Sequence, residues 1–257
     1  MSANGEGLGR VLTVALGLCL VCSIVVSTAA VLLKPAQQAN KTLDLKRNIL
    51  MAAGLLDPSR SVEEQFEQVE TRIVNLDAGQ FVEGVDPASF DQREAAKDPA
   101  QSRAIPNDED AAKLVRREDQ ALVYLVRTNG GELDKIILPI RGYGLWSTLY
   151  GFMALESDGN TIAGLGFYEH GETPGLGGEV DNPRWKSIWP GKLVYQGNEV
   201  AIEVLKGSVR AGSAQAQWQV DGLSGATLTT KGVDNLVKYW LGEEGFKPLL
   251  DNLRQGE

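Results

Sequence analysis

A chain of 257 residues with net charge −9 and a pI near 4.8 has the length of one medium or two small globular units with a sizeable core. The acidic balance excludes a nucleic-acid surface, which needs a basic stripe, and argues against peripheral attachment to anionic lipid. A single histidine, and two cysteines both close to the N-terminus (Cys19 and Cys22), exclude a His-rich zinc site anywhere and a disulfide framework or iron–sulfur cluster in the rest of the chain. No metal site is expected.

Residues 1–10 are short and polar, with Glu6 and Arg10. From Val11 to Leu33 no side chain is charged, a run long enough for a hydrocarbon core of roughly 30 Å. A cleaved signal peptide needs an apolar region of only about 7–15 residues. Ser27-Thr28-Ala29-Ala30 is small enough to suggest cleavage, but the length favours a retained single-pass anchor over residues 11–33. Cys19 and Cys22 sit inside this run and read as small residues on one helix face rather than a redox pair. Arg10 alone precedes the span, whereas Lys34, Lys41, Lys46 and Arg47 follow it. Counting basic residues puts the C-terminal side in the cytoplasm.

The periodicity predicts helix over residues 35–77 in two pieces. Ile49, Leu50, Ala53 and Leu56 form one apolar face, Asp57-Pro58-Ser59 interrupts, and Val62, Phe66, Val69, Ile73 and Val74 give a second face up to about Leu76. Residues 78–112 are polar and turn-rich and read as a solvated excursion with little chemistry. From about residue 120 the texture becomes strand-like. Runs 121–127 and 134–140 flank Gly130-Gly131, and runs 145–157 and 161–170 flank Asp158-Gly159-Asn160, which predicts two hairpins. Further strands are expected at 192–195 and 200–206, joined by Gly197-Asn198, and at 216–220. The fold class is therefore α+β: one N-terminal transmembrane helix, then a soluble domain with a mainly antiparallel sheet and flanking helices. The expected divisions are an anchor (1–34), a helical and irregular extension (35–112) and a ligand-binding domain (113–257).

Two glycine-containing stretches carry the chemistry. Asp221-Gly222-Leu223-Ser224-Gly225-Ala226-Thr227-Leu228-Thr229-Thr230 precedes a helix whose apolar face is Val233, Leu236, Val237, Trp240 and Leu241. Thr229 or Thr230 is expected as its N-cap. Ser224 and Thr227 then lie just outside a helix N-terminus, where free amides and the dipole favour a phosphate, while Gly225 and Ala226 admit close approach. Alternatively, this is an ordinary capped turn. The second stretch, His170-Gly171-Glu172-Thr173-Pro174-Gly175-Leu176-Gly177-Gly178-Glu179, is a shaped loop after a strand; it matches neither a dinucleotide fingerprint nor a Walker loop. A third segment is Arg141-Gly142-Tyr143-Gly144-Leu145-Trp146. His170 reads as incidental to catalysis. Trp185 and Trp189 read as packing residues or part of a partner surface.

Ser224-Gly225-Ala226-Thr227 after Asp221 resembles the attachment motif of covalent flavoproteins. Gly142-Tyr143-Gly144-Leu145-Trp146 and Glu172-Thr173-Pro174-Gly175-Leu176-Gly177 resemble, in the same order along the chain, segments of one family of such proteins. These are the NqrC subunits of the sodium-translocating NADH:quinone reductases, with the RnfG protein of the Rnf electron-transport complex as nearest relative. The resemblance implies FMN joined through its phosphate to Thr227, with Ser224 as second choice. It implies that Asp221, Ser224, Gly225 and Ala226 form a motif read by a flavin-attaching transferase, whose phosphoryl transfer is of the kind that uses magnesium. Trp146, Glu172, Thr173, Gly175, Leu176 and Gly177 become candidate FMN contacts. It further implies an electron-carrier subunit of a bacterial inner-membrane complex that oxidises NADH, reduces ubiquinone and exports sodium. In that setting the soluble domain is periplasmic, against the charge count, and the other subunits are its partners. An Rnf-type subunit, or a non-redox membrane-anchored ligand-binding module, are the alternative readings.

Overall fold

The computed structural model describes residues 7–256, Asn129 excepted; Glu6 and the rest of the polar leader lie outside the described residues. The chain forms two compact units, Met1–Leu45 and Lys46–Glu257. Helix α1 (Leu8–Ala52) supplies the described part of the first and ends in the second. It is long and apolar enough to cross a membrane. At 1.5 Å per residue, the uncharged run from Val11 to Leu33 is about 35 Å long. Its Val14, Leu16, Ile24 and Leu32 are each more than half exposed, an arrangement that hydrocarbon tolerates and water does not.

The second unit contains α2 (Val62–Phe66), β1 (Val69–Asn75), β2 (Gln80–Phe81), α3 (Gln92–Ala95), β3 (Ser102–Ala104), β4 (Arg116–Glu118), β5 (Gln120–Arg127), β6 (Leu133–Tyr143), β7 (Thr148–Glu156) and β8 (Ile162–Glu169). There follow α4 (Pro183–Lys186), β9 (Tyr195–Gln196), β10 (Glu199–Val200), β11 (Glu203–Val204), β12 (Gln219–Val220), α5 (Thr227–Trp240) and α6 (Lys247–Gln255). The main sheet has six strands in the order β2-β1-β5-β6-β7-β8, every neighbouring pair antiparallel. The two hairpins, β5–β6 and β7–β8, occur where the turn signals predict them. The small pair β11–β12 is parallel.

Two expectations are corrected. Residues 62–76 are not one helix: α2 stops at Phe66, and Val69–Asn75 is strand β1, paired with β5 from Val69↔Val126 to Asn75↔Gln120. The spacing of Phe66, Val69, Ile73 and Val74 imitates a helical face. However, Val69, Thr71, Ile73 and Val74 are β-branched, and a central strand with a partner on each side outweighs local period. Residues 78–112 are not merely solvated. The Gln92 side chain donates to Glu118 Oε1 (2.7 Å) and accepts from the Leu122 amide (3.0 Å). Ala95, Ala96 and Ala112 are buried, and the Arg93 guanidinium lies 3.8 Å from the Tyr150 ring centroid.

The sheet is covered on both faces. Along β6, Ile136, Leu138 and Ile140 point into the larger core. That core receives Val233, Leu236, Val237 and Trp240 of α5 and its C-cap Leu241, all fully buried as their spacing predicts. Burying each such side chain is worth about 1.5–3 kcal/mol. The Trp240 indole donates to the Arg141 carbonyl at 2.7 Å, fixing α5 across β6. On the opposite face, Ile137 and Arg141 share a side with their register partners Ala154 and Tyr150. Phe66, Tyr124, Phe152 and Tyr168 form a chain of ring contacts there.

Candidate functional site

Helix α5 begins at Thr227, three or four residues earlier than a cap at Thr229 or Thr230 would place it, and no side chain caps it; Ala226 occupies the N-cap position. Thr229 and Thr230 are therefore not caps. Both are buried in the first turn and turn inward. The Thr230 hydroxyl accepts from the Leu223 amide (3.0 Å), and the Thr229 hydroxyl donates to Glu172 Oε2 (2.6 Å). The approach to the helix is pinned at Asp221. Its carboxylate accepts from the Val209 amide (2.7 Å), and its carbonyl accepts from the Trp185 indole (2.8 Å). Trp185 in turn packs edge-on against the buried Trp189, so both tryptophans are packing residues. With the approach held this way, Ser224, Gly225 and Thr227 are exposed while Ala226 is buried. Gly225 has φ +73°, a backbone that a side chain would strain, and a Cβ there would come within 3.3 Å of Leu176.

Glu172 ties the three candidate segments together. Its Oε1 accepts from the amides of Leu145 (3.0 Å), Trp146 (2.9 Å) and Ser147 (3.4 Å), while Oε2 takes the Thr229 hydroxyl. Burial by itself would push its carboxyl up. The Thr229 hydroxyl and the amides of Trp146, Leu145 and Ser147 outweigh that and hold it below the ordinary glutamate value. Gly177 is required by this packing, since a Cβ there would stand 2.5 Å from both Glu172 Oε2 and Thr229 Oγ1. His170 supports the same loop. Its Nδ1 accepts from the Glu172 amide (3.2 Å), and its Nε2 lies 2.8 Å from Asp181 Oδ2. The Thr173 carbonyl accepts from the amides of Leu176 (3.1 Å) and Gly178 (2.9 Å), closing the turn that carries Gly175.

The sequence-predicted residues are thus brought together, but in two layers. Glu172, Gly177, Asp221 and Ala226 hold the scaffold. Thr227, Ser224, Gly225, Trp146, Thr173, Gly175 and Leu176 face outward. Four apolar side chains stay open on the same three segments: Leu145 (37% exposed), Trp146 (65%), Leu176 (46%) and Leu228 (59%). An exposed apolar group of this kind marks a surface that something covers. Sequence reading missed Leu145 and Leu228 as rim residues and Thr229 as the partner of Glu172. Thr229 offered a signal in its hydroxyl, but read locally it suggested a cap.

The model of the FMN-binding domain family matches residues 144–242, which takes in all three segments from Gly144 onward. The NqrC component of the Na+-translocating NADH-quinone reductase of Pseudomonas aeruginosa is 55% identical over 260 residues, covering 99% of each chain. The chain belongs to the NqrC family of the Na+-translocating NADH-quinone reductases. The Vibrio vulnificus (strain YJ016) member is 48% identical, over 99% of this chain and 98% of its own. The crystal structure of Shewanella oneidensis NqrC covers 84% of this chain and 99% of its own, with 37% identity and a TM-score of 0.77. That of the same reductase component from Parabacteroides distasonis ATCC 8503 covers 85% and 96%, with 31% identity and a TM-score of 0.65. The site fits an FMN of the kind the family model describes. An uncapped helix start beside a glycine suits a phosphate, and the exposed indole and leucines suit an aromatic ring system.

Proposed function

We propose that the protein is the flavin-carrying electron-transfer subunit of a membrane reductase that oxidises NADH, reduces ubiquinone and exports sodium ions, with FMN joined through phosphate to the Thr227 hydroxyl. Family membership supports the first part. The second rests on one observation: Thr227 is the exposed first residue of a 14-residue helix whose start no side chain caps, beside Gly225 and the apolar rim.

In this reading a partner transferase recognises Asp221, Ser224, Gly225 and Ala226 as the approach to Thr227. The Thr227 oxygen attacks the flavin-side phosphorus of a flavin dinucleotide donor, its proton passes to a base of the transferase, and the pyrophosphate bond breaks with the nucleoside monophosphate as leaving group. The first-turn amides and the helix dipole then stabilise the remaining negative charge by about 0.3–1 kcal/mol. Trp146, Leu145, Leu176 and Leu228 shelter the ring, with Thr173 and Gly175 beside them. The bound flavin supplies the one- and two-electron chemistry, and the protein sets its position and surroundings. A shallow site suits transfer between subunits, and a covalent bond keeps the cofactor from leaving it. No acidic side chain lies between Val11 and Leu33, so the sodium path belongs to partner subunits. The anchor sits in the bacterial inner membrane with the folded unit on the periplasmic side, since long domains cross largely regardless of flanking charge.

The test is in-gel flavin fluorescence of the denatured protein made in cells that contain the attaching enzyme. The wild-type band fluoresces and the Thr227→Ala band does not. A dark wild-type band from cells that flavinylate another target would instead favour a binding module without a redox group.

A further inference from the structure

On the sheet face opposite α5 lies a cleft of about 500 Å³ walled by five cations, Arg93, Lys97, Lys113, Arg116 and Arg141, and by no acidic side chain. In a chain of net charge −9, so one-sided a lining does not follow from composition. Three of the five are neutralised from outside the cleft: Arg93 by Glu169 (2.9 Å), Lys97 by Glu94 (2.8 Å) and Arg141 by Glu118 (2.6 Å). Two are not. Arg116 donates to neutral oxygens of Ser102, through Nε to Oγ (2.8 Å) and Nη2 to the carbonyl (2.5 Å), and meets Asp98 only through space. Lys113 stands 5.5 Å from the Tyr143 ring centroid. Neither forms an ion pair among the described residues. Two charges with no carboxylate in contact, set in a concave wall, concentrate anions.

The backbone supplies a second observation. Lys113 (φ 53°) and Val115 (φ 67°) are the non-glycine residues at positive φ among the described residues. The left-handed region costs roughly 1–2 kcal/mol per residue, and a β-branched residue is a rare occupant. Asp110 enforces the turn, its carboxylate accepting from the amides of Leu114 (2.8 Å) and Val115 (2.7 Å). Strain of this kind persists where the surroundings over-determine it and clusters at ligand clamps. Here it presents Lys113 to the cleft between Tyr143 and Arg116.

The chemistry of the wall narrows the ligand. Arg93 already covers the Tyr150 ring and Lys113 lies over Tyr143, so the cleft offers donors and charge rather than bare rings for stacking. Its volume falls within the roughly 300–1,000 Å³ of small-molecule sites. Arginine forks and a lysine ammonium suit oxygens of phosphate or carboxylate. We infer that this cleft binds a small multivalent oxyanion, a polyphosphate or a polycarboxylate, held chiefly by Lys113 and Arg116. The cleft adjoins the flavin-type corner through Tyr143, whose hydroxyl donates to the Trp146 carbonyl (3.3 Å), but the inference does not rest on the flavin reading.

The test is isothermal titration calorimetry on the full-length protein in detergent at low salt, with pyrophosphate and citrate as probes and sodium chloride of matched ionic strength as control. At least one probe binds saturably, and Lys113→Asn weakens it at least tenfold; asparagine removes the charge and tolerates the left-handed backbone. Arg116→Gln has the same direction. Preference for pyrophosphate assigns a phosphate ligand, and preference for citrate a carboxylate one. Absence of saturable heat with both probes overturns the inference, as does equal affinity in Lys113→Asn. That variant decides even if Arg116→Gln fails to fold, because the exposed Lys113 side chain makes no hydrogen bond among the described residues.

Discussion

The two ends of one hairpin connection make opposite use of charge. Just beyond β6, the amides of Leu145, Trp146 and Ser147 close on Glu172, a buried carboxylate with both oxygens occupied. On the other face of the sheet, Tyr143 and Thr148 border a cleft where Lys113 and Arg116 have no carboxylate partner among the described residues. The first charge is spent on structure: it fixes three segments so that Thr227 and an apolar rim stand exposed. The second pair has no ion-pair partner among the described residues, although Arg116 also holds Ser102 through two hydrogen bonds. A buried charge with its partners in place positions, and a charge without an ion-pair partner recruits.

That contrast can be broken by substitution, most severely at Glu172. Glu172→Ala leaves three backbone amides and a buried hydroxyl without their acceptor and lowers stability by about 3 kcal/mol, read as a shifted urea midpoint. Flavin loading falls with it although Thr227 is intact. Thr229→Val is milder, costing about 1–2 kcal/mol, since only Oε2 loses its donor. The same difference has a pH signature. The folded pKa of Glu172 is lowered from 4.5, so its stabilisation is complete above that value and is lost as pH falls through the lower folded one. The stability gap between wild type and Glu172→Gln should therefore shrink in acid and stay constant near neutrality.

The cleft side responds differently. Val115→Gly relieves left-handed strain and raises stability by about 1 kcal/mol, measured as a higher Tm. Trp146→Ala sharpens the comparison from the rim. With 65% of its surface exposed, Trp146 contributes within about 0.5 kcal/mol to folding, yet its loss alters the absorbance and fluorescence of the bound flavin. A large stability loss there would mean that the rim is structural after all.

Much of this was legible in the sequence. Two hairpins announced themselves through alternating apolar runs around Gly130-Gly131 and Asp158-Gly159-Asn160, and the apolar face of α5 through its 3.6-residue period. The site segments were legible through resemblance, each as a local motif. What stayed hidden was relational. β1 looked helical because its partner β5 lies some fifty residues away. Thr229 looked like a cap because Glu172, its actual partner, belongs to another loop. The cationic cleft draws on α3, the turn at 113–115, β4, β6 and β7, so no window of sequence contains it.

The proposed attachment puts FMN on Thr227, the exposed residue at the start of α5. Peptide mass mapping of protein from flavinylating cells tests it most directly. One modified peptide is expected, heavier by FMN less one water, with fragmentation assigning the addition to Thr227. The same addition on Ser224, or on a residue outside the 221–230 stretch, would contradict it.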